Sequence, residues 1–65
     1  MEQIQDLLGR LEDLVDERDE TQEMFDEATA AGEAFEADGY AEDLAALKAT
    51  IEATKANLER QIRSL

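Results

Sequence analysis

Between Glu12 and Glu27 the chain reads EDLVDERDETQEMFDE, nine carboxylates in sixteen residues with Arg18 as the single base among them. Carboxylates this dense can do one of three things: move protons, hold cations, or present negative charge to a basic surface. Proton transfer requires that one member of a close pair be desolvated, so that its pKa rises. At helical period, however, Glu12, Asp19 and Asp26 fall in one seven-residue column, Asp13, Glu20 and Glu27 in the next, and Asp16 and Glu23 beside them. That face lies opposite the apolar residues of the same helix, so a pair such as Asp16 and Glu20 meets water and makes no acid–base couple.

Cation binding fares no better. An EF-hand loop needs alternating oxygen ligands around a central glycine, whereas the run from Asp16 has Arg18 third and Thr21 sixth. Di-iron bundles use Glu-x-x-His pairs, and the chain has no histidine. Neither a metal nor another cofactor is expected. Presentation of charge remains, and it carries a cost. The pairs 12/16, 13/17, 16/20, 19/23 and 23/27 set like charges at i,i+4, each unfavourable by roughly 0.2–0.5 kcal/mol at low salt.

Composition narrows the classes further. Without cysteine, disulfides and thiolate sites are excluded, and Ser64 is the only serine, which leaves nucleophilic catalysis almost no raw material. The expectation is a protein that is not an enzyme. A net charge of −12 repels nucleic acid and anionic membrane and attracts basic surfaces. No apolar run approaches the roughly 20 residues of a membrane span, and MEQIQDLL lacks a basic leader region, so the expected location is the cytoplasm of the producing or infected cell. With 43% apolar residues in clear periodicity, the chain is expected to fold rather than remain disordered.

The elements that position the acids follow from a second spacing. Ile4, Leu7, Leu11, Leu14, Arg18, Thr21, Phe25, Ala28 and Gly32 recur at alternating steps of three and four, the seam of a heptad helix. Tyr40, Leu44, Leu47, Ile51, Thr54, Leu58, Gln61 and Leu65 repeat it. The segment GEAFEADG separates them and reads as the turn. Gly32 ends the first helix in a left-handed conformation, Asp38 caps the second, and Phe35 closes the end of the core. An alternative keeps Gly32 inside the first helix and turns at Asp38-Gly39. The expected fold is all-α, an antiparallel two-helix hairpin of coiled-coil type. Helix 1 spans about residues 2–31, the turn about 32–39 and helix 2 about 40–65. Complementary sizes favour facing residues whose numbers total 72, such as Ala28 with Leu44, over a register one heptad later.

At 65 residues, a hairpin buries only one side of each helix, which predicts dimerisation into a four-helix bundle. Ile4, Leu7, Leu8, Leu11, Val15, Ile62 and Leu65 are the apolar candidates for self-association. Ala49 and Ala53, from the alanine-rich outer face that also includes Ala45, Ala46 and Ala56, are the others. Arg18, within the seam, is expected to extend its charge outward toward Glu17 or Asp19.

Two functions fit. In the first, regularly spaced carboxylates on a rod imitate a nucleic-acid backbone and occupy the groove of a basic nucleic-acid-binding protein, in the manner of small acidic inhibitors among phage counter-defence proteins. The contact set is Glu12, Asp13, Asp16, Asp19, Glu20, Glu23, Asp26 and Glu27. In the second, the seam and alanine face form a structural oligomerisation or adaptor coiled coil. The acids then serve only solubility, or adaptation to a salty cell interior.

Overall fold

The computed structural model describes residues 4–65, which form two α-helices, α1 (Ile4–Ala30) and α2 (Ala34–Arg63), packed against each other as a hairpin. The rod measures 50 × 15 × 15 Å, and its radius of gyration of 14.8 Å exceeds the roughly 11 Å of a compact chain of this length. Among the described residues, no helix is long and apolar enough to cross a membrane.

Both seams lie where the heptad spacing puts them except at their ends, since Gly32 and Leu65 are exposed outside the helices and Ala37, one heptad step before Tyr40, joins the core instead. Leu7, Ala28, Ile51 and Thr54 are buried, and Ile4, Leu11, Leu14, Thr21, Phe25, Tyr40, Leu44, Leu47, Leu58 and Gln61 are half-buried. Thr54 brings a hydroxyl into the core and satisfies it by donating from Oγ1 to the Thr50 carbonyl at 2.8 Å. Arg18 is exposed, its Nη2 3.3 Å from Asp19 Oδ1, as expected of a long cation at a seam position.

The turn is shorter than the sequence suggests. Gly32 does adopt the left-handed conformation, with φ +74°. The Glu33 amide donates to the Ala28 carbonyl at 2.9 Å and the Gly32 amide to the Thr29 carbonyl at 3.1 Å, the paired bonds of a Schellman ending. That motif reverses the chain within three residues. Consequently α2 starts at Ala34 rather than near Tyr40. Asp38 is not its cap, Gly39 is a helix-interior residue, and Phe35, 87% exposed, closes nothing. Glu33 stands at the N-cap without a side-chain bond to the backbone.

The tighter turn corrects the register as well. Helices reversing about Gly32 face each other at residues whose numbers total about 65, one heptad short of 72. Reversal about Gly32 thus brings Ala28 level with Ala37, Phe25 with Tyr40, Leu14 with Ile51 and Leu7 with Leu58. The surface grooves agree, since Phe25 lines one with Ala37 and Asp38, and Thr21 lines another with Asp43, Ala46 and Leu47. Small residues opposing small ones beside the turn is the packing that a three-residue link demands, because it holds the backbones close there.

Candidate protein-binding surface

Each helix of a coiled-coil pair has an outer face and two flanks beside the seam, and the heptad assigns every residue to one of them. The outer face of α1 carries Asp16 and Glu23. The neighbouring columns carry Glu12, Asp19 and Asp26 on one side and Asp13, Glu20 and Glu27 on the other. All eight are exposed. Two of them have side-chain partners in the structure. Arg18 bridges Asp19, and the Gln22 Nε2 donates to Asp26 Oδ1 at 3.1 Å.

The hairpin adds carboxylates that the α1 columns alone do not reveal. On one flank, Glu17 of α1 and Asp43 of α2 line a shallow groove with Thr21 and Thr50. Nearer the turn, Glu27, Glu33 and Glu36 line a second groove with Met24 and Tyr40. The negative surface therefore wraps from the outer face of α1 around this flank onto α2. The helix spacing of Glu17, Glu36 and Asp43 could have indicated them, since all three sit beside the seam, but only with the three-residue turn do they share a flank. Among the described residues, no three carboxylates converge as a metal site would require.

The other flank differs. Its columns are Leu8, Val15, Gln22 and Thr29 on α1, and Ala41, Lys48, Lys55 and Ile62 on α2. Leu8 is 44% and Ile62 52% exposed, and Val15 is half-buried. Both lysines of the protein stand here, seven residues apart in one column, and Lys55 Nζ lies 3.7 Å from Glu52 of its own helix.

The residues expected to self-associate thus divide. Leu7, 1% exposed, is enclosed within the hairpin and offers nothing to a neighbour. Ile4 and Leu11 are half-buried in the seam. Leu8, Val15 and Ile62 are brought onto one flank, whereas Ala49 and Ala53 stay exposed on the outer side of α2. Leu65 is 94% exposed beyond the end of α2.

No known protein family, characterised protein or solved structure matches the chain.

Proposed function

We propose that the chain is a non-enzymatic acidic decoy, a rod that occupies the nucleic-acid-binding groove of a basic protein inside the cell where it acts. The observation that carries this reading is the linear density of uncompensated charge on α1. Nine carboxylates and one guanidinium between Glu12 and Glu27, at 1.5 Å per residue, leave about one net negative charge every 3 Å. A single strand of duplex DNA carries one every 3.4 Å. Arginine and lysine clusters spaced for phosphates therefore meet carboxylates at similar intervals, with the same electrostatic steering and counterion release.

Placement of the charge supports recognition over mere solubility. The columns continue to Glu27 in the last turn of α1, which holds no basic residue, although anions are disfavoured at that helix end by about 0.3–1 kcal/mol. A face serving only solubility has no reason to extend there. The adaptor reading draws on the exposed alanines of α2 and is the alternative.

Affinity capture with two baits, the natural chain and D16K/E20K/E23K, separates them. The expected result is a nucleic-acid-binding protein held by the natural chain, released by added nucleic acid and lost with the reversed bait. Equal capture by both baits overturns the decoy.

A further inference from the structure

We infer that the flank bearing Leu8, Val15, Ile62, Lys48 and Lys55 is the docking surface for a second copy of this chain, laid alongside with both hairpins pointing the same way. This deepens the expected four-helix bundle and is separable from the decoy: Glu12 and Asp19 of the decoy contact set face the second copy, while Asp13, Asp16, Glu20, Glu23 and Glu27 remain free on the far side.

Area supplies the first support. The hairpin exposes 4984 Å² for a mass of 7.3 kDa, where a compact monomer of that mass exposes about 4,200 Å². The excess, about 800 Å², is what each partner buries in a standard interface.

Polarity along the flank fixes the orientation. Leu8, Val15 and Ile62 lie in the half away from the turn, whereas Gln22, Thr29 and Asp38 occupy the half near it. Hairpins pointing the same way set apolar half on apolar half. Opposite orientation sets leucine and isoleucine against the polar half.

Charge makes the same choice and identifies the occupant. A two-fold axis along the rod places α1 of one copy beside α2 of the other without changing height. With the helices reversing about Gly32, Lys55 is level with about residue 10 of α1 and Lys48 with about residue 17. Lys55 of one copy then stands within two residues, about 3 Å along the axis, of Glu12 of the other, and Lys48 as near to Asp19. Glu12 and Asp19 occupy the column adjoining Leu8 and Val15. With the rods reversed, α2 meets α2 and Lys48 meets Lys48. The outer face of α2 offers the methyls of Ala45, Ala49, Ala53 and Ala56, with Glu42 and Arg63 at its two ends and no paired lysines between.

Sedimentation equilibrium of the intact chain, with circular dichroism on each variant, tests this. The natural chain should dimerise. K48E/K55E should raise the dimer Kd by about 10-fold or more, and adding E12K/D19K to that variant should restore it to within about 3-fold. A49E/A53E should leave it unchanged. L8E/I62E should give a monomer. Because that variant also risks unfolding, the charge exchange, which removes no apolar contact, is the deciding measurement. A fully helical monomer at all concentrations up to about 500 µM overturns the proposal, as does a dimer indifferent to K48E/K55E, one not restored by the exchange, or one broken by A49E/A53E. Capture by the acidic face survives each of those outcomes, so failure here is distinguishable from failure of the decoy.

Discussion

The two flanks of the hairpin are cut from the same helices and the same heptad, yet one gathers Glu17, Glu27, Glu33, Glu36 and Asp43 while the other gathers Leu8, Val15, Ile62 and both lysines. Bulk charge conceals this. A net −12 describes a uniformly acidic rod, whereas the columns directly beside the seam differ: Glu17, Glu36 and Asp43 stand on one flank and Lys48 and Lys55 on the other, where Glu12, Asp19 and Asp26 form only its border. Position beside the seam decides what each residue can touch, and a shift of one column moves it from one flank to the other. The lesson is that the two proposed contacts draw mainly on opposite sides of the hairpin, with Glu12 and Asp19 alone common to both.

The comparison can be broken first on its acidic side. Reversing Asp16, Glu20 and Glu23 to lysine should weaken capture of the basic partner about 100-fold at moderate salt, with far-ultraviolet circular dichroism unchanged. Retained affinity would sink the assignment of that side.

A smaller effect follows from repulsion. The five like-charged i,i+4 pairs of α1 together oppose the helix by about 1–2.5 kcal/mol in dilute buffer, and added salt screens them. Melting temperature should therefore rise between low and moderate ionic strength, while the chain is already helical at the lower. An unstructured chain in dilute buffer would instead indicate a composition adapted to a salty cell interior.

Next come the glycines, which set the register and so decide which columns share a flank. Gly32→Ala forces a side chain into left-handed backbone and should cost about 1–2 kcal/mol. Gly39→Ala, in the interior of α2 with open space where its Cβ would sit, should stabilise by about 0.5–1 kcal/mol. Were Gly39 the turn, the two thermal shifts would exchange sign. Smallest of all, A49E/A53E touches neither flank and should change stability by no more than about 0.5 kcal/mol in urea melts.

Much of this architecture is legible from spacing. The seam residues from Ile4 to Ala28 and from Tyr40 to Gln61 and the outward reach of Arg18 follow from steps of three and four, whereas Leu65 is exposed past the end of α2 and buried Ala37 falls in the segment read as turn. The register does not, because a pattern that repeats every seven residues reads identically when slipped by seven. Side-chain size is then the only arbiter in the sequence, and it favours opposing Ala28 with Leu44, whereas the short turn brings Ala28 level with Ala37, and both are buried. Asp38-Gly39 resembles a turn by composition alone. Once Gly32 has reversed the chain, nothing prevents the alanine-rich segment from Ala34 onward from being helix. The acid columns of α1 belong to one helix and could be read directly. The surface they share with Glu33, Glu36 and Asp43 depends on the pairing of two helices and could not.

The short reversal also sets the order in which the molecule assembles. Bringing Ala28 to Ala37 closes a loop of about nine residues, whereas bringing Leu7 to Leu58 closes one of about fifty, which costs about 1.5 kcal/mol more in chain entropy. The smallest side chains occupy the cheap end and the bulky leucines the expensive one. Zippering should accordingly start at the glycine and reach the leucine layers last.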